Sequence, residues 1–87
     1  MNQFIIQFYF QDQAYLADVT ELDGLDRAEY AISPRDEQLS ERFKSSVIVK
    51  DKADAKYHYA LPSAPSGTEY MAVLKTALDD FLAKKNS

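Results

Sequence analysis

The stretch PSAPSG at positions 62–67 divides this 87-residue chain into two kinds of periodicity, and that division constrains the fold more than any other feature. Before it, apolar residues tend to recur at every second position, the period of a strand with one buried face. After it, Tyr70, Val73, Leu74, Ala77, Leu78, Phe81 and Leu82 stand at i, i+3, i+4, i+7, i+8, i+11 and i+12, one continuous helical stripe. The spacing predicts a helix over about 67–85, with Ser66 and Glu69 placed as an S-x-x-E capping box. Several half-buried strands and a single long amphipathic helix have one compact solution: the strands form a sheet and the helix covers one face of it.

The strongest strand signal is FIIQFYF at 4–10, inside a strand expected over about 3–11. Its even positions, Phe4, Ile6, Phe8 and Phe10, form an unbroken apolar face, while Gln3, Gln7 and Gln11 alternate with Ile5 and Tyr9 on the other. A turn at Asp12-Gln13 would pair it with a strand over about 14–20, setting Phe10 against Tyr15, Phe8 against Ala17 and Ile6 against Val19. Both strands then turn their apolar sets to one face, which is what fixes a register. The second face would pair Tyr9 with Leu16, Gln7 with Asp18 and Ile5 with Thr20.

Asp23-Gly24 marks a further turn and RAEYAIS a third strand over about 27–33. A short helix is expected between 34 and 43, with Ser33 as cap, Pro34 in the first turn, and Leu39 and Phe43 tying it to the core. Strands over about 46–51 and 55–61 make a second hairpin. A two-residue loop, aligning Ile48 with Tyr57, is preferred there because a three-residue loop would set Lys50 against Lys56. The expected fold class is α+β over a single domain, 1–87: a five-stranded, mainly antiparallel twisted sheet in the order β-β-β-short helix-β-β, with the long C-terminal helix on one face.

Composition narrows the chemistry. With 46% apolar and 28% charged residues the chain has the material of a globular core. It has no cysteine, which removes disulfides, thiolate metal sites and cysteine nucleophiles and suits a cytoplasmic setting. FIIQFYF is too short for a bilayer span and has no preceding Lys or Arg, so neither a signal peptide nor a membrane partner is expected. Two glycines leave no phosphate-cradling loop, no serine sits in G-x-S-x-G, and the acidic residues show no calcium-loop spacing. No catalytic, cofactor-binding or metal-ligating residue is expected, and no cofactor.

Three functional readings remain. The first is a non-catalytic protein-binding or assembly module that engages another protein, or a second copy, through the Ile5/Tyr9/Leu16 face or an exposed strand edge. The second is a small enzyme or ligand binder built around His58, the only histidine, and its neighbouring tyrosines. The third, a single-stranded nucleic-acid binder using sheet aromatics, is disfavoured by the net charge of −4 and the missing basic-aromatic signature. The second sheet face is expected to be either a contact surface or partly closed by curling of the sheet into a small barrel.

Overall fold

The structure is a computed structural model that describes residues 2–85. The chain runs β1 (Asn2–Phe10), β2 (Gln13–Asp23), β3 (Arg27–Pro34), α1 (Glu37–Phe43), β4 (Ser46–Asp51), β5 (Tyr57–His58) and α2 (Gly67–Lys85). The five strands lie in sequence order, each antiparallel to the next, and α2 covers one face. This is the α+β arrangement the periodicity predicts. The sheet is open, with β1 on one edge and β5 on the other, rather than curled into a barrel.

The first hairpin turns at Gln11-Asp12, not Asp12-Gln13. Both turn residues have positive φ, 51° and 66°, the sign pattern of the type I′ turn that matches strand twist. Phe10 therefore faces Gln13, Phe8 faces Tyr15, Ile6 faces Ala17 and Phe4 faces Val19. The expected pairing of Phe8 with Ala17 is corrected by two residues. A slip of two returns every side chain to its own face, so the apolar sets still coincide. Side-chain alternation alone could not separate the two registers; the turn backbone does.

The second hairpin departs further. Lys50 faces Tyr57 and Val49 faces His58, so neither the two-residue nor the three-residue loop forms. Two aspartates build a longer connection: Asp51 Oδ1 accepts from the Ala53 N–H at 2.8 Å and Asp54 Oδ1 from the Lys56 N–H at 3.0 Å. Ala55 takes φ 58°, and pairing is confined to Tyr57–His58 instead of 55–61.

Pro34 still belongs to β3, opposite Ala17, and Ser33 is held in the ladder opposite Asp18. The cap of α1 passes to Asp36, whose Oδ1 accepts from the Leu39 N–H at 3.0 Å. Leu39 and Phe43 are buried, as their spacing requires. At the start of α2, Ser66 has φ 66°, outside the extended conformation of an N-cap, so the proposed capping box is replaced by a left-handed entry.

The core lies between α2 and the even-numbered face of β1. Tyr70, Leu74 and Leu78 have no exposure, and Met71, absent from the expected stripe, is buried too. Tyr70 stacks on Phe43 with centroids 4.0 Å apart and meets Phe8 and Phe10 edge-on. Phe81 stacks on Phe4 at 4.2 Å. These contacts fix α2 antiparallel to β1, its C-terminal half over the start of the strand. Each large side chain buried here contributes about 1.5–3 kcal/mol. No helix among the described residues is long and apolar enough to cross a membrane.

Candidate functional site

The hairpin decides which backbone groups of β1 are used. Phe10 and Gln13 flank a two-residue turn and form a hydrogen-bonded pair, so Phe8, Ile6 and Phe4 also bond to β2, while Tyr9, Ile5, Gln7 and Gln3 occupy the wide pairs. The β2 side agrees: Leu16, opposite Gln7, gives its carbonyl to the Arg35 N–H at 2.9 Å, toward β3. The odd-numbered residues of β1 consequently point their N–H and C=O groups off the open edge of the sheet.

Beside that edge runs the groove between β1 and α2, about 460 Å³ in volume. Ile6 and Phe8 line its strand side and Val73, Ala77 and Phe81 its helix side, with Thr76, Asp80 and Lys84 along the rim. Val73, Ala77 and Phe81 remain half-buried because no described residue on the far side of β1 completes their cover. Their helical spacing places them on the apolar stripe of α2, and the structure covers one side of each.

The outer face of the sheet carries the predicted residues. Ile5, Tyr9 and Leu16 are 45%, 67% and 44% exposed. The corrected register puts Leu16 opposite Gln7 and diagonal to both Ile5 and Tyr9, so the three stay neighbours by a route different from the expected Tyr9–Leu16 pairing. The patch ends at Asp18, which faces Ile5 and accepts from Arg35 through both carboxylate oxygens, the shortest contact 2.9 Å. The hydrogen-bonded guanidinium holds Asp18 below the usual carboxylate range and raises Arg35 in turn. Val47 and Leu22 are exposed beyond this ion pair.

His58 is exposed on the same outer face, opposite Val49. Its neighbour Tyr57 points the other way: its hydroxyl donates to Asp79 Oδ1 at 2.7 Å, pinning β5 to α2, and Lys50 and Lys75 lie 5.5 and 5.8 Å from its ring. Burial first, and the Asp79 carboxylate second, push the Tyr57 phenol above its ordinary range. Tyr57 thus serves the β5–α2 joint, and Tyr59 is partly buried against the core. Among the described residues no group of three His, Asp or Glu side chains converges as a metal site would require.

The two edges of the sheet contrast sharply. β1 is nine residues long and carries no charge and no proline. The β4–β5 edge ends in a two-residue strand beside a loop holding Lys52, Asp54 and Lys56. Charge, brevity and proline are the devices that keep an edge from pairing with another chain; one edge here has two of them and the other none. Comparison of the chain with protein families, curated proteins and solved structures finds no match.

Proposed function

We propose that this protein is a non-catalytic docking module that accepts an extended polypeptide as an added strand along β1. The observation that carries this is the unguarded nine-residue edge lying beside an apolar groove. An antiparallel strand placed there bonds to the outward backbone groups of Gln3, Ile5, Gln7 and Tyr9. Its alternate side chains, those opposite Ile6 and Phe8, fall into the groove against Val73, Ala77 and Phe81. Backbone bonds supply affinity and the groove selects apolar residues at every second position, the division of labour in strand-addition recognition. Ile5, Tyr9 and Leu16 then border the remaining side chains of the guest on the outer face.

The test is an amide NMR titration of the dilute protein with a soluble heptapeptide alternating Val and Thr. Shifts are expected at the Ile5, Gln7 and Tyr9 amides and at the Val73 and Ala77 methyls. Shifts centred on Leu16 and Val47 without the β1 amides, or around His58, would refute the edge as the site, as would no shift at millimolar peptide.

A further inference from the structure

From the geometry of this same edge, and resting on the strand-addition reading, we infer that its occupant is a second copy of the chain. The two β1 strands pair antiparallel about a two-fold axis through Ile6.

Three features select this register. The first is backbone parity. Only odd residues of β1 point outward, so an odd residue must face an odd residue of the copy. Centring on Ile6 satisfies this along the whole strand, pairing Ile5 with Gln7 and Gln3 with Tyr9, and leaves no overhang between Asn2 and Phe10.

The second is charge. Phe81 lies on Phe4, and Tyr70 meets Phe8 and Phe10, so the middle of β1 at Ile6 lies under α2 near Thr76 and Ala77. The axis through Ile6 passes there and brings the two α2 helices side by side, antiparallel. Glu69, Val73, Thr76, Asp80 and Lys84 fall along one flank of α2 at about 100° per residue. That flank carries Glu69 at its N-terminal end and, one turn apart, Asp80 and Lys84 toward its C-terminal end. The two-fold sets Glu69 of each copy against Lys84 of the other and Thr76 against Ala77. Centring on Gln7 instead moves the axis about two residues back along α2 and sets Glu69 against Asp80.

The third is closure. β1 itself brings no charge to the seam, so the net −4 of each copy stays off it. Pairing consumes both open edges and leaves the charged β4–β5 edges outside, so assembly stops at two copies rather than extending. A seam about 30 Å long at ~3.3 Å per residue, across a body 20 Å deep, buries about 600 Å² per copy, the lower end for a specific complex. A seam this small fits a weak dimer that forms and dissociates with concentration.

The absence of native cysteine makes the register directly readable. Residues facing each other in a hydrogen-bonded antiparallel pair have Cα atoms about 5.5 Å apart, within the ~4.4–6.8 Å a disulfide spans. Ile5→Cys and Gln7→Cys change exposed positions. When the two variants are mixed and mildly oxidised, the mixed disulfide should dominate over either homodimer. Dominant Gln7→Cys homodimers would place the axis at Gln7, and dominant Ile5→Cys homodimers at Ile5; either overturns the register. Sedimentation of the unmodified chain should show its mass doubling between about 1 µM and 1 mM. Glu69→Lys should weaken the dimer roughly three- to ten-fold, and Glu69→Lys with Lys84→Glu should restore it. An unchanged dimer in the single reversal overturns the helix contact. A chain that stays monomeric at 1 mM with no mixed disulfide overturns the second copy as occupant. Peptide-induced shifts at Ile5, Gln7 and Tyr9 then separate the two ideas: if they persist the edge takes a foreign strand, and if they too are missing the docking reading falls with it.

Discussion

Two tyrosine-to-phenylalanine substitutions should move stability in opposite directions. The Tyr70 ring is enclosed by Phe43, Phe8 and Phe10, and its hydroxyl is buried without a hydrogen-bond partner among the described residues. Tyr70→Phe keeps the ring contacts and removes a polar group whose desolvation costs about 1–3 kcal/mol. The variant should gain about 1 kcal/mol, or ~4–8 °C in Tm for a domain this size. The Tyr57 hydroxyl donates to Asp79 at 2.7 Å, and Tyr57→Phe gives up that bond. At a half-buried site the loss should be about 0.5–1.5 kcal/mol. Urea unfolding followed by tyrosine fluorescence and far-UV dichroism, with equal m values, reads both. The pH arm is independent. Burial pushes the Tyr70 phenol up to about 12, against about 10 in the unfolded chain. The folded state therefore favours the neutral phenol, so its contribution is intact below pH ~10 and declines as pH rises toward ~12, by at most about 3 kcal/mol. Tyr70→Phe should flatten that alkaline decline. A loss of 1 kcal/mol or more in Tyr70→Phe at neutral pH would show that the hydroxyl is well bonded in the folded protein and would refute the reasoning.

Asp18 should titrate below an ordinary aspartate in carboxyl-detected NMR. Arg35→Gln should return it to the usual range, while in the native chain the stability it lends is present above its unfolded pKa and fades as pH falls through the lowered value. Replacing Gln11-Asp12 by Asn-Gly should stabilise by about 1 kcal/mol in thermal unfolding, because both positions hold positive φ that Asn and Gly adopt more readily; destabilisation would argue against the I′ turn. Gln7→Pro should cost less than about 1 kcal/mol, since that N–H points off the sheet. Thr20→Pro, on the same face but bonded to β3, should cost about 3 kcal/mol or more, and equal costs would mean the hydrogen-bonding parity is wrong.

Much of the fold was legible because its determinants are periodic. The even face of β1, the stripe of α2 and the Leu39/Phe43 anchor of α1 each follow from spacing alone; Ile6, Phe8, Phe10, Tyr70, Leu74, Leu78, Leu82, Leu39 and Phe43 are buried where it puts them, while Phe4, Val73, Ala77 and Phe81 are half-buried against the same core. What spacing could not give was anything decided by a single backbone torsion or a single side-chain cap. The first hairpin slipped by two because alternation repeats every two residues and Gln11, unlike Asp12, is not a typical left-handed residue. The second failed because Asp51 and Asp54 fold their side chains onto the loop, which no apolar pattern records. Ser33-Pro34 looked like a helix start, yet the β2 ladder holds both residues and leaves the cap to Asp36.

The site divides the same way. Ile5, Tyr9 and Leu16 could be placed on one face because a two-residue slip preserves faces, so the error in register left the patch intact. The groove could not be foreseen, since it depends on strand order: Val73, Ala77 and Phe81 look like core until β1 proves to be the last strand beneath them. One signal was nevertheless available. Asn2–Phe10 has no charge and no proline, whereas the seven residues 50–56 carry five charges, a distribution that buried strands do not need and two edges do. Charge is placed where pairing must be prevented. A long strand from which it is withheld, set at an edge, is a strand that another strand can join.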